Sequence, residues 1–112
     1  MSGVADYRHR ITIQQQVTVT DDEGFTTTTW QDVATVWAAV EPMNARWRVF
    51  YEAAAVNAER DTLIRIRYRP GVTQDMRVVY GQRVFSIRLV VDPEERHREI
   101  QLMCREVVDG GN

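Results

Sequence analysis

Six stretches of this chain carry the residue pattern of extended strands, and turn-forming residues separate most of them. In the first, Arg8 to Thr20, Ile11 and Ile13 fall on one side and Arg10, Thr12 and Gln14 on the other. That period of two belongs to a half-buried strand, because a helix would scatter the same apolar residues around its circumference. Asp21-Asp22-Glu23-Gly24 supplies the polar chemistry of a tight turn. The second stretch, Thr26 to Val40, is rich in threonine, valine and tryptophan, which favour pleated surfaces. Pro42 ends it, since proline has no amide hydrogen for a ladder. A long hairpin is expected from these two.

The remaining stretches shorten. Thr62, Ile64, Ile66 and Tyr68 share one face of the third, while Arg65, Arg67 and Arg69 share the other as a solvated arginine row. Pro70-Gly71 turns the chain. Arg77 to Tyr80, Gly81-Gln82 and Arg83 to Val91 read as a tight hairpin whose inward set is Phe85, Ile87 and Leu89. Asp92-Pro93-Glu94-Glu95 is the next turn, and His97 to Val107 the last strand, with Ile100, Leu102 and Cys104 inward. Short strands at this spacing predict an all-β fold, a small six-stranded antiparallel β-barrel or barrel-like sandwich. Closure is expected because open edges invite pairing with other chains.

Between Met43 and Asp61 the period changes. Trp47, Phe50, Tyr51, Ala54 and Ala58 recur at helical spacing, Asn44 is placed to cap, and Arg48 and Glu52 stand four apart. The insert between strands two and three is therefore read as a short helix closing one end of the barrel or as a long functional loop, since connections of more than about 12 residues are often functional.

A chain of 112 residues fits one domain, 1–112, with the insert at 43–61 and flexible termini at 1–6 and 108–112. Hydrophobic residues at 44% and charged residues at 27% sit near soluble averages, which argues against disordered and collagen-like classes. No apolar run approaches the roughly 20 residues that cross a bilayer, so no membrane partner is expected. Met1 to Asp6 lack the basic start and apolar stretch of a signal peptide, which makes cytoplasmic synthesis the expectation. The basic residues are all arginine, a planar fork suited to carboxylate pairing at interfaces. Up to Glu59 there are 4 Arg against 8 acidic residues, and from Arg60 on 10 against 8. That asymmetry is milder than a nucleic-acid-binding domain normally shows.

Catalysis requires convergent groups, and none can be assembled here. His9 and His97 each lie between arginines, where positive charge disfavours a metal, and are expected to be solvated. The run Asp21 to Gly24 lacks the alternating oxygen ligands and distal glutamate of a calcium loop. The glycines form no phosphate cradle, and Cys104 alternates with Ile100 and Leu102 as a core-facing thiol. Neither catalytic residues, metal ligands nor cofactors are expected. The row Arg65, Arg67 and Arg69 is the best candidate for meeting something acidic, as a charged interface face or by pairing with Glu94, Glu95 and Glu99. Small basic barrels also bind single-stranded nucleic acid by stacking bases on aromatics, but Tyr68 and Phe85 fall on the core face. A nucleic-acid-binding barrel remains the alternative reading.

In order and spacing, the RHRITIQ strand from Arg8 to Gln14, WQDVATVWAAVEP from Trp30 to Pro42, IRYRPG from Ile66 to Gly71, and MRVVYGQRVFSI from Met76 to Ile87 resemble the head-tail joining family of tailed bacteriophages and prophages. These are also called head-closure, stopper or adaptor proteins. The resemblance runs from about Arg8 to Glu106. It implies a structural protein of the virion head-tail interface, made in the host bacterial cytoplasm. Such a protein forms a ring under the capsid portal, dodecameric when assembled, connects the DNA-filled head to the tail and helps close the DNA channel. Implied partners are portal-side head proteins, a tail-completion or tail-terminator protein, further copies of itself, and packaged double-stranded DNA by channel proximity alone. Carried onto this chain, the closing loop corresponds to the insert around Met43 to Glu59, with Arg46, Trp47, Arg48, Phe50 and Tyr51 as candidate channel or subunit-interface residues.

Overall fold

A computed structural model describes residues 7–42 and 61–107. Six antiparallel strands account for most of them: β1 (His9–Thr20), β2 (Thr26–Pro42), β3 (Asp61–Arg67), β4 (Arg77–Tyr80), β5 (Arg83–Val91) and β6 (Glu99–Glu106). The sheet closes on itself in the order β1-β2-β3-β6-β5-β4, with β1 returning to β4 through Thr12↔Val79, Ile13↔Val78 and Gln14↔Arg77. This is the expected closed all-β architecture. The helix or loop expected at 43–61 lies outside the described residues up to 60, and Asp61 opens β3.

Alternation explains the interior. Ile11 and Ile13 of β1, Ala38 of β2, Ile64 and Ile66 of β3, Val78 of β4, Phe85 and Ile87 of β5, and Ile100, Leu102 and Cys104 of β6 form one buried cluster. Every strand contributes, so the ring is filled by side chains and is not a pore. Each fully buried large aliphatic or aromatic side chain stabilises by about 1.5–3 kcal/mol, which makes this cluster the main support of the fold.

Two β-bulges reset the alternation. In β2, Val33 is the extra residue between Ala34, opposite Ile13, and Asp32, opposite Gln14. In β5, Arg88 is extra between Ile87, opposite Cys104, and Leu89, opposite Met103. Each extra residue flips the side chains beyond it to the other face. Leu89, expected inward with Phe85 and Ile87, is therefore turned outward. It packs with Val91 against buried Leu63 and Met103 in a second cluster, and Val90 takes its place against the interior.

The last strand begins at Glu99 rather than His97. A single 3-10 turn over Pro93–Glu95 precedes it, and Glu95 (φ 56°) and His97 (φ 57°) adopt left-handed backbone that an extended strand cannot contain. Asp92 holds this corner by accepting the His97 backbone N–H at 3.0 Å and meeting His97 Nδ1 at 2.5 Å.

Candidate functional site

β1 and β2 are much longer than their neighbours, and their excess length leaves the ring. β4 covers β1 only from Thr12 to Gln14, and β3 covers β2 only from Ala38 to Pro42. Gln15 to Thr20 and Thr26 to Gln31 therefore pair only with each other among the described residues, as an arm whose two outer edges carry unpaired backbone groups. At about 3.3 Å per residue, the six steps from Gln14 to Thr20 carry its end roughly 20 Å beyond the last β4 pairing. The principal extents of 54 × 28 × 26 Å agree with such a projection.

The tip of the arm is held by hydrogen bonds. Asp21 Oδ1 accepts the backbone N–H of Glu23 and of Phe25, both at 2.9 Å, and Gly24 (φ 88°) donates its N–H to the Asp21 carbonyl at 3.0 Å. This Asx turn leaves Asp22, Glu23 and Phe25 pointing to solvent, Phe25 with 66% of its surface exposed. It is the tight polar turn the sequence predicts.

The root of the arm is locked on the outer face. Arg77 Nε donates to Gln14 Oε1 at 2.7 Å, Gln14 Nε2 donates to Asp32 Oδ1 at 2.8 Å, and the Arg77 guanidinium lies 4.2 Å from the centre of the Trp30 ring. The Val33 bulge makes this possible by bringing Asp32 opposite Gln14. Burial pushes the Arg77 pKa down from its usual value.

The arginine row divides. Arg65 is not solvated: its side chain is 12% exposed, it donates to Glu41 Oε2 through Nη2 at 2.7 Å, and to Glu99 Oε1 through Nη1 at 2.9 Å. Burial opposes its charge, and Glu41 and Glu99 more than offset this, so its pKa is raised. Glu99 also accepts the Tyr7 hydroxyl at 2.5 Å. Burial, that bond and the charge of Glu99 push the phenol up to about 12. Glu99 was among the expected partners, whereas Glu41 was not, because only the β2–β3 pairing brings it beside Arg65. Glu95 is exposed, and the Glu94 side chain is outside the described set.

Arg67 and Arg69 remain. With Arg10 they line a groove of about 490 Å³ that Tyr7, Trp37 and Tyr68 also wall. Arg10 lies 4.9 Å from the Trp37 ring centre, Arg67 is exposed, and Arg69 Nε is buried without a hydrogen-bond partner among the described residues. None of the three arginines pairs with a carboxylate among the described residues, since Glu41 and Glu99 are engaged by Arg65. Tyr68 is fixed by the His97 ring at 4.5 Å and by its N–H donating to the Arg98 carbonyl at 3.0 Å. Sequence reasoning missed Arg10 and Trp37 here. The signal was present in Trp37 falling on the outward side of β2, opposite Arg10.

His9, expected to be solvated, is half-buried with Nδ1 at 2.6 Å from the Tyr80 hydroxyl. Cys104 is fully buried, and burial pushes its thiol far above the usual range. Asp61, 3% exposed, pairs through Oδ1 with Arg105 Nε at 3.2 Å. Among the described residues no three His, Cys, Asp or Glu side chains converge as a metal-binding group. The candidate residues Arg46, Trp47, Arg48, Phe50 and Tyr51 lie outside the described residues.

A side-chain-filled ring with a projecting arm and a charged groove defines a small β-structured assembly protein. Its outer surface carries the distinguishing features. The chain belongs to the phage head completion protein family, whose model matches residues 4–107, and it is a structural protein of the virion head-tail interface. Protein SF1141 from Shigella flexneri 2a, a solution structure, is similar over 96% of this chain and 99% of its own, with 25% identity and a TM-score of 0.79. A chain in the virion of a native gene transfer agent particle shares the fold at 20% identity and a TM-score of 0.63, over 90% of this chain and 96% of its own. No curated protein matches the chain.

Proposed function

We propose that copies of this chain form a ring beneath the capsid portal, connect the DNA-filled head to the tail and help close the DNA channel. The observation that carries the reading is the arm, whose two open edges have no partner among the described residues of its own subunit. A two-stranded ribbon is marginally stable alone, so this one fits a role in which neighbouring molecules cover it. Ring interfaces are heterologous and close when the rotation between subunits closes. An arm at one end of a small body supplies such a contact. In this proposal Arg46, Trp47, Arg48, Phe50 and Tyr51 face the channel or a neighbouring subunit and reorder on assembly. The same ordered conformation of that segment in free and ring-bound protein would refute the gating step and leave the joining role intact.

The test of the joining role is electron microscopy of particles made when this reading frame is deleted from its phage or prophage and then restored. Separate tails beside tailless heads that leak or lack DNA, rescued by the restored gene, are expected. Intact tailed particles would overturn the proposal. The second reading, single-stranded nucleic-acid binding, is favoured by one observation, the exposed Trp37 beside Arg10, Arg67 and Arg69. It requires tight, salt-sensitive binding of free DNA, whereas an adaptor binds free DNA weakly.

A further inference from the structure

The arm tip and the arginine groove are chemical complements. The tip carries Asp22 and Glu23, which have no cationic partner among the described residues, and beside them the exposed ring of Phe25. The groove carries Arg10, Arg67 and Arg69 without carboxylate partners among the described residues, and beside them Trp37, 53% exposed. Carboxylates and arginine forks form paired hydrogen bonds, and aromatic rings pack edge to face, so one surface offers what the other lacks.

The two surfaces cannot meet within one subunit. Arg10 and Trp37 face each other at the root of the β1–β2 ribbon, and the tip lies at its far end. Ten residues separate Arg10 from Thr20 along β1. At about 3.3 Å per residue this places the tip roughly 33 Å from the groove of its own subunit. Apart from the single Val33 bulge the ladder between them is paired along its length, so the ribbon cannot fold back. A tip at one end and a groove at the other give a head-to-tail contact, the type that generates rings.

We propose that Asp22, Glu23 and Phe25 of one subunit dock in the groove of Arg10, Arg67, Arg69 and Trp37 on the next copy of this chain. This rests on the ring-forming role proposed above and names the surfaces that build the ring. Asp21 stays in its own turn as the capping residue.

The test is charge reversal and rescue in the deletion background. Asp22→Arg with Glu23→Arg, and separately Arg67→Glu with Arg69→Glu, should each lower the yield of tailed particles at least roughly tenfold, the scale on which close interfacial charge pairs act. The four substitutions together should restore the yield to within a few-fold of wild type. A wild-type yield from either pair alone, or no recovery in the combination, overturns the docking. So does salt-sensitive binding of a single-stranded oligonucleotide that only the Arg67→Glu/Arg69→Glu protein loses, since the groove is then a nucleic-acid site. Should a reversal variant fail to fold, Asp22→Cys and Arg67→Cys combined in one chain provide a second measurement. Oxidised particles should give a ladder of disulfide-linked subunits that neither single substitution gives, and its absence overturns the proposal. Buried Cys104 stays out of this chemistry. If wild type rescues joining and these variants do so equally, only the docking fails. If deletion leaves tailed particles, the ring role fails.

Discussion

Replacing Arg65 by methionine keeps the apolar stem and removes the cation between Glu41 and Glu99. Breaking a fully buried ion pair by deleting one partner costs about 3–5 kcal/mol, mostly because the other charge is stranded. The Glu41 side chain is 37% exposed and can turn to water, whereas Glu99 is 18% exposed and is tied to Tyr7 and Gln101. The stranded charge is therefore chiefly that of Glu99, and discounting for exposure leaves a loss of about 2–3 kcal/mol. At roughly 4 °C per kcal/mol for a domain of this size, the melting midpoint should fall by about 8–12 °C at neutral pH, measured by circular dichroism or calorimetry. The companion Glu99→Gln separates this cause from lost packing. In the native background it removes a charge-assisted bond and should cost about 1.5–3 kcal/mol. In the Arg65→Met background it removes the stranded charge and should be neutral or stabilising. A fall of under about 2 °C for Arg65→Met, or an equal cost of Glu99→Gln in both backgrounds, would refute the reasoning.

Three other outcomes follow from the packing and the strand arrangement. The Tyr7 phenol is raised from 10.0 to about 12 in the folded chain, so its contribution to stability is full below about pH 10 and lost as the pH rises to about 12. The stability difference between wild type and Tyr7→Phe should narrow over that window, and a constant difference would count against the Tyr7–Glu99 bond. Cys104 should resist a thiol reagent in native protein and react only on unfolding; prompt native labelling would contradict its burial. Excising Val17 to Thr29 and joining Gln16 to Trp30 through Asn-Gly should leave the ring folded, with a midpoint within about 4 °C of wild type, and abolish tailed particles. Loss of the β-sheet circular dichroism spectrum would show that the arm belongs to the folding unit.

Most of the fold was legible because strand alternation and turn chemistry are local. Ile11 and Ile13, Ile64 and Ile66, and Ile100, Leu102 and Cys104 all face the interior, as their spacing predicts. Gly81 with Gln82 joins β4 to β5 where the pattern places a hairpin. The site was legible only in part. The outward row at Arg65, Arg67 and Arg69 was visible, but Arg65 is consumed by Glu41 and Glu99, and Arg10 and Trp37 take its place in the groove. Pairing residues that lie 24 and 34 positions apart depends on which strands become neighbours, which no local period encodes.

Local residue pattern was enough to set the class of structure, the turns, the face of each strand up to its first irregularity, and a block order specific enough to resemble a phage family. Whatever depends on register was settled only when the strands packed together. The bulges at Val33 and Arg88 turned Leu89 outward and brought Asp32 beside Gln14, and ring closure through β1 and β4 ended at Gln14, leaving the rest of the hairpin as an arm. The reason is that a single inserted residue reverses every face beyond it, and where it is inserted depends on the twist and closure of the whole sheet.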